Sequence, residues 1–333
     1  MSDAAPLRIL MSEAAHGQYA AAIDAALAGR AWVPVLAPAV DDRTVVDADV
    51  AFVSRDVTGL STKHEIKPVT GRFYTAMLEA PSLRWTHVHS AGADRAVFVQ
   101  LRERGVTLTT SSGANAGVVA QTALAGLLAL ARHLPLLYDA QRERRWAPLM
   151  RSGMPRDLQG QTATIVGWGP IGQQIGAVLQ LFGMKLIVVR QRATSAGPGC
   201  ETVTFADFGK VLPRTDWLIL ACPLTPDTRG LVDAAALQGL ADGARLVNVS
   251  RGEVVDEPAL IDALQSGRLA GAYLDVFAHE PLPETSPLWT LPNVIATPHS
   301  AGFSDGNAAR VVDIFLDNLR SWSRGEAMRN VVN

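Results

Sequence analysis

The sequence predicts an α/β protein of two doubly wound, parallel-sheet domains. Two observations carry this expectation. Short apolar runs alternate with helical patterns along the whole 333-residue chain, as in a mostly parallel sheet covered on both faces. The alternation comes as two series divided near "RDLQGQ" (156–161), and the length suits two domains of ordinary size better than one large sheet.

In the first series "LRILMS", "DVAFVSR", "RWTHVHSA" and "VTLTTS" read as strands, with helix-like stretches between them. A long helix is expected from about Asn115 to about Arg142, because no strong breaker interrupts it before Pro135. Its small residues suit close packing, and it reads as a bridge between the domains. The strands of the second series are "TATIVGWG", "KLIVVR", "WLILAC", "ARLVNVS", "AGAYLDVF" and "NVIATPH"; "IGQQIGAVLQLFG" and "EPALIDALQSG" read as helices. In the tail, Val311, Val312, Phe315, Leu319 and Trp322 recur at helical spacing before Gly325 as a stop.

Composition narrows the function. The hydrophobic share is 48% and the charged share 19%, which fits a globular protein. A formal net charge of −2 gives no electrostatic ground for nucleic acid or an anionic membrane as partner. The lysines are Lys63, Lys67, Lys185 and Lys210, so the basic residues are mostly arginine and any one arginine is less informative. Cys200 and Cys222 are the cysteines, too few for a disulfide framework and consistent with a reducing compartment. The start lacks a basic region followed by an apolar core. The apolar run "VVAQTALAGLLALA" is too short for a membrane span. A cytoplasmic protein is expected.

"GWGPIG" (167–172) lies between a buried strand pattern and a helix. Gly-x-Gly-x-x-Gly alone is a weak signal, but strand before and helix after is the context of a dinucleotide site. Gly167 permits the tight turn, Gly169 lets a pyrophosphate approach, and Gly172 lets helix and strand pack closely. Amides from Ile171 onward are free donors for the anion, whereas Pro170 gives none. The end of the next strand meets the adenosine ribose, where an acid selects the unphosphorylated sugar. Here stand Arg190, Gln191 and Arg192, with no carboxylate before Glu201. A guanidinium matches a phosphate dianion, so NADP(H) is expected in preference to NAD(H). NAD(H) retains the shared pyrophosphate and nicotinamide contacts, and the alternative is two surface arginines.

Three polar groups follow strands of the second series: Arg251, Glu280 and His299. In a doubly wound sheet the carboxyl ends of strands line the ligand crevice. Histidine titrates near neutrality and can give or take a proton, a neighbouring carboxylate favours imidazolium, and arginine can hold a carboxylate at two points. Singly each has a bland reading: a structural histidine, a turn cap at Pro281, a loop ion pair. No metal is expected, since only His87 and His89 are closely spaced. Nor is a nucleophilic mechanism, since Cys222 has no adjacent base.

"GWGPIG", "CPLTPDTRGLV" (222–232), "VNVSRGEVVDEPALIDALQSGRLAGAYLDVFAHEPLP" (247–283) and "PLWTLPNVIATPHSAG" (287–302) strongly resemble the D-isomer-specific 2-hydroxyacid dehydrogenases. The match is dense from about Asn115 to about Gly302 and loose before that. The resemblance implies two Rossmann-like domains around a cleft: a flavodoxin-like substrate domain (1–114 and 298–333) and an NAD(P)-binding domain (115–297). It implies that Arg251 binds a 2-oxo acid, that His299 is the acid/base, and that Glu280 pairs with His299. Hydride would pass from the nicotinamide to C2 of the acid while His299 donates the proton. By the same resemblance the loop "HSAGAD" places amides of Ala91, Gly92 and Ala93 on the substrate carboxylate. Asp275 would bind the nicotinamide carboxamide. Cys222 and Pro223 would wall the cofactor, with Thr228, Val249 and Ser250 also touching it. The helix after Asn115 resembles the family's dimer arm, which implies a homodimer with Trp146 near the interface. Arg55 and Trp289 are further candidates for the cleft.

The expected activity is NADPH-preferring reduction of a small 2-oxo acid such as glyoxylate or hydroxypyruvate to a D-2-hydroxy acid. The alternatives are an NAD-dependent dehydrogenase of another hydroxy acid and a nucleotide-sensing corepressor of the same fold. Formate dehydrogenases of this superfamily carry Gln where Glu280 stands. The family commonly has an acid and a histidine where this chain has Gln121 and Thr122, which leaves the contacts of that helix open.

Overall fold

The computed structural model describes residues 5–151 and 153–332. These residues form two parallel sheets, of five and seven strands. The chain divides into two compact units, 1–115 with 304–333 and 116–303. The second boundary falls after Phe303 and not near Pro298, because the turn containing His299 is tied by hydrogen bonds to Asp275 inside the second unit.

The first unit holds β1 (Leu7–Met11), β2 (Trp32–Leu36), β3 (Val50–Val53), β4 (Trp85–Val88) and β5 (Thr107–Thr110) in the order β2-β1-β3-β4-β5. This is the flavodoxin-like order of the doubly wound folds. The strands alternate their side chains between two apolar layers. Ile9, Phe52 and Trp85 face the helices Glu13–Leu27 and Asn307–Arg324. Leu10, Ala51, Val53 and Val88 face Pro68–Glu79 and Ala96–Glu103. The tail helix is thus an integral layer: Phe315 stacks on Phe52 with ring centroids 4.3 Å apart. Burial of one such ring stabilises by about 1.5–3 kcal/mol.

The second unit holds β6 (Thr162–Val166), β7 (Lys185–Val189), β8 (Cys200–Val203), β9 (Trp217–Leu220), β10 (Arg245–Asn248), β11 (Gly271–Leu274) and β12 (Val294–Ala296). Their order is β12-β11-β10-β9-β6-β7-β8, all parallel. The chain leaves β6 toward β7 and β8, then returns to build β9 to β12 on the other side. The order therefore reverses between β6 and β9, the place where doubly wound sheets bind ligands.

The central strands agree with the apolar runs of the sequence. Two edge strands, β2 and β8, carried no clear signal. Their residues are mostly half-buried or exposed, and Pro34 lies inside β2, as only an edge strand tolerates. The expected single long helix is two, Ala116–Ala131 and Leu134–Arg142, bent by 71°. His133 takes a left-handed backbone, φ 55°, and Pro135 has no N–H to continue the ladder. The first of these helices is not a bridge but part of the second unit, with Val119, Ala123, Leu127 and Leu130 buried against its sheet. Among the described residues no single helix is long and apolar enough to cross a membrane.

Gly126 sits where this helix meets β11. A Cβ there would lie 2.3 Å from the ring of buried Tyr273. Alanine would add about 1 kcal/mol of helix propensity, but forcing atoms into a filled core costs about 1–3 kcal/mol. Gly126→Ala should therefore lower the urea midpoint; a midpoint equal to or above that of the parent would contradict this packing.

Candidate active site

The parallel order places the candidate groups that follow strands of the second unit at one edge of the sheet. Leaving the carboxyl ends in spatial order come His299, Asp275, Arg251, Cys222, Gly167 and Arg190, after β12, β11, β10, β9, β6 and β7.

Gly167 turns the chain with φ 95°, and a Cβ on it would lie 2.7 Å from the Cα of Cys222. A Cβ on Gly172 would lie 2.2 Å from the Gly167 carbonyl oxygen. Glycine at these points lets strand, turn and the helix Pro170–Leu181 close on one another. Gly169 and Pro170 are exposed and Ile171 is half-buried. The first helical turn thus presents amides that lack helical acceptors, at the positive end of the helix. This cradle fits a pyrophosphate.

Beside it, Arg190 is half-buried, while Gln191 and Arg192 are exposed. Glu201, the nearest following carboxylate, is held by both guanidinium nitrogens of Arg214, at 2.6 and 2.5 Å. Cys222 is buried, and burial pushes its thiol up to about 11. Thr228 donates to the Pro223 carbonyl at 2.7 Å and accepts from the Thr225 amide at 2.8 Å. What it gives a ligand is thus the shape of the Cys222–Pro223 wall. Val249 and Ser250 are buried. The Ser250 hydroxyl donates to Asn248 Oδ1 at 2.7 Å, and Asn248 Nδ2 donates to the Arg251 carbonyl at 3.1 Å.

His299 Nδ1 lies 2.8 Å from Glu280 Oε2. Glu280 also accepts from the Phe277 amide at 3.2 Å. Burial works to raise the Glu280 carboxyl, but the His299 hydrogen bond and charge, the Phe277 amide and the Arg251 charge outweigh it and hold it below its ordinary value. An ionised carboxylate only accepts, so Nδ1 carries the hydrogen and Nε2 is left for exchange with a ligand. The imidazole side chain is 47% exposed against 13% for its partner: the pair has a buried anchor and an accessible working end. Arg251 lies on the adjoining loop. A Cβ on Gly252 would fall 1.8 Å from the Phe277 carbonyl carbon, so glycine lets the Arg251 and Glu280 loops touch.

The turn itself is held by Asp275. His299 has φ 50°, and its amide donates to the Asp275 carbonyl at 2.8 Å. The Asp275 carboxylate accepts from Ser300 N at 2.8 Å, Ala301 N at 3.0 Å and Thr297 Oγ1 at 2.6 Å. Burial keeps this carboxyl above its ordinary value against those bonds and the His299 charge. Tyr273 OH lies 2.8 Å from Thr297 Oγ1. Since the Thr297 proton goes to Asp275, the tyrosine is the donor. Thr122 Oγ1 is 3.0 Å from the Val118 carbonyl and 3.2 Å from that of Ala301, so the helix position that departs from the family is bonded to the same turn. Sequence reading had given Asp275 to the nicotinamide and missed this anchoring function; the hydroxyl of "ATPH" was the available signal.

Other candidates lie elsewhere. Ala91, Gly92 and Ala93 follow β4 in the first unit, where Ser90 Oγ donates to the Gly92 carbonyl at 2.7 Å. His87 is buried between Thr109 Oγ1 at 2.8 Å and Ser111 Oγ at 3.0 Å. Burial lowers it to about 3. His89 lies 2.8 Å from Thr58 Oγ1, and burial, with the charges of Arg55 and Arg95, lowers it likewise to about 3. Arg55 and Trp289 are both exposed, the latter donating to the Pro283 carbonyl at 3.0 Å. Among the described residues no group of three His, Cys, Asp or Glu is placed to hold a metal ion.

Residues 124–301 match the family described as D-isomer specific 2-hydroxyacid dehydrogenase, NAD binding domain. A glyoxylate reductase of Korarchaeum cryptofilum is 35% identical over 261 residues, 76% of this chain and 77% of that protein. A glyoxylate/hydroxypyruvate reductase B of Pectobacterium carotovorum is 33% identical over 87% of this chain and 91% of its own. Among solved structures, a D-isomer specific 2-hydroxyacid dehydrogenase from Xanthobacter autotrophicus in complex with NADPH and MES superposes with a TM-score of 0.75 at 30% identity, covering 99% of this chain and 98% of that one. The chain therefore belongs to the D-isomer specific 2-hydroxyacid dehydrogenase family. It is an oxidoreductase that uses a nicotinamide cofactor on small 2-oxo or 2-hydroxy acids.

A carboxyl whose folded value lies below its unfolded one stabilises the fold above the unfolded value and loses that contribution as pH falls through the folded one. Glu280→Gln should thus lower stability near neutrality, and the gap to the parent should close as the pH falls through the ordinary glutamate range and below it. Thermal midpoints across that range check it; a gap independent of pH would mean that the Glu280 charge is not its source.

Proposed function

We propose that this enzyme reduces glyoxylate, hydroxypyruvate or a similarly small 2-oxo acid to the D-2-hydroxy acid, with NADPH in preference to NADH. The observation that carries the reading is the His299–Glu280 pair, 2.8 Å apart, at the strand-end edge that also bears Arg251 and the glycine cradle. The names of the relatives, glyoxylate reductase and glyoxylate/hydroxypyruvate reductase B, support the substrate class. Arg190 and Arg192 support the cofactor choice.

Gly167, Gly169, Ile171 and Gly172 hold the pyrophosphate, Arg190 and Arg192 the 2′-phosphate, and Cys222, Pro223, Val249, Ser250 and Asp275 flank the nicotinamide. Bound there, the reduced nicotinamide supplies the hydride that C2 of the acid receives. Arg251 holds the carboxylate and the carbonyl oxygen, favouring the negative charge that develops on that oxygen. His299, protonated, gives its Nε2 proton to the nascent alkoxide and ends neutral. Glu280 stabilises the imidazolium before transfer and fixes which nitrogen faces the substrate.

His299→Ala should lower kcat about 10²–10⁴-fold and leave NADPH affinity far less affected. Initial rates against glyoxylate, hydroxypyruvate, pyruvate and phenylpyruvate, with NADPH and NADH in parallel, test the rest. A normal kcat in the variant would refute the role of His299. Turnover with NADH alone would refute the cofactor preference.

The dimer belongs to the same reading. After the helix Leu134–Arg142, Trp146 is 95% exposed, Met150 80% and Met154 72%. Large exposed apolar groups this close in sequence suit an interaction surface, here one that pairs two copies of the chain. Sedimentation should show a dimer that Trp146→Glu weakens; a monomer at all concentrations would exclude it.

A further inference from the structure

Trp168 stands between the first two glycines of "GWGPIG", a position the dinucleotide fingerprint leaves open. Its ring lies over the helix that starts at Pro170. A Cβ on Gly176 would come within 2.6 Å of that ring, so the indole occupies space that only a glycine leaves. Its Nε1 donates to the carbonyl of Ala196 at 3.2 Å.

Ala196 belongs to the segment between β7 and β8, the one that begins with Arg190, Gln191 and Arg192. That segment is fastened at several points. The Arg190 amide donates to the Val203 carbonyl at 3.1 Å. The Ala196 amide donates to Thr202 Oγ1 at 3.0 Å, so Ala196 is gripped from both sides, by Trp168 through its carbonyl and by Thr202 through its amide. Gln180, on the same helix as Gly176, donates to the Pro198 carbonyl at 3.2 Å. The exposed stretch Gln191–Ser195, with Arg192, Thr194 and Ser195, is thus suspended between two fixed ends.

We infer that Trp168 is a positioning residue for cofactor choice: by stapling Ala196 to the glycine turn it fixes the Arg190–Ser195 segment where the 2′-phosphate of the nucleotide is read. The inference rests on the reading of Arg190 and Arg192 as phosphate ligands. A segment held in its binding conformation loses less freedom when the ligand arrives, and that gain goes only to the ligand that touches it. The pyrophosphate, shared by both cofactors, is held by other residues. Losing the staple therefore weakens binding of a 2′-phosphorylated nucleotide selectively, whereas a ring that only shaped the glycine turn would weaken both nucleotides alike.

The test compares Trp168→Phe, Thr202→Val and the double variant Arg190→Ala/Arg192→Ala with the parent. KM is measured for NADPH and NADH, and dissociation constants for 2′,5′-ADP and 5′-AMP by titration calorimetry, which report the same site without turnover. Phenylalanine keeps a ring over Gly176 and removes the N–H; Thr202→Val loosens Ala196 from the other side and leaves the glycine turn alone. Both single variants should raise the NADPH KM and the 2′,5′-ADP dissociation constant about five-fold, the scale of one net hydrogen bond, and shift the NADH and AMP values far less. Equal shifts for both nucleotides in Trp168→Phe, or no shift in either single variant while the double arginine variant loses NADPH selectively, would overturn the staple and keep the arginines. If the double variant shows no selective loss, the phosphate reading fails and the staple falls with it.

Discussion

All seven strands of the 116–303 unit run in one direction, and the chemistry depends on that. In a parallel sheet every strand delivers its carboxyl end to the same edge, with neighbours about 4.8 Å apart. Residues as distant in the chain as Gly167 and His299 are therefore set along one line. The reversal of order between β6 and β9 opens that line where Gly167 and Cys222 meet. Helices supply the cover on both faces and leave the edge to the loops.

Within that line two carboxylates have opposite roles. Asp275 is buried, and burial is the stronger influence on it. Its oxygens are taken up by the turn that carries His299, so it behaves as part of the scaffold. Glu280 is nearly as sheltered, yet the neighbouring cations and an amide prevail and keep it ionised. An unpaired charge so placed would be strongly destabilising; paired with an imidazole that reaches solvent, it is the fixed half of a hydrogen-bonded couple. The left-handed backbone of His299 is an unfavourable conformation for a residue with a side chain. It persists because the bonds to Asp275 on both sides of it over-determine the turn.

The central strands were legible because burial on both faces leaves a run of apolar residues that nothing else imitates, as in "TATIV" and "WLIL". Edge strands were not: half-exposed "WVPVL" and "CETV" resemble loop, and their pairing is decided by the neighbour strand. The helix break at His133 was equally hidden, since a left-handed histidine has no compositional mark and Pro135 two residues later can open a helix as well as end one. Arg251 and His299 stood out because each lies three residues past the end of a strand, and Glu280 because it lies six past another. The supports of the site did not. Asp275, Asn248 and Trp168 act through hydrogen bonds to backbone groups, and Thr297 through the side chains of Tyr273 and Asp275; sequence spacing does not say which of these groups are near.

One row of contacts ties the core to the strand-end edge. Gly126 admits the Tyr273 ring, the tyrosine hydroxyl donates to Thr297, Thr297 donates to Asp275, and Asp275 gathers the amides around His299. Thr122, one turn before Gly126 on the same helix, joins the row at Ala301. Each donor in such a series polarises the next, and none of its members past Gly126 has a spare proton to move elsewhere. The seating of an interior helix is thereby transmitted to the turn that carries the imidazole, so that a side chain added on that helix displaces more than the core it packs in.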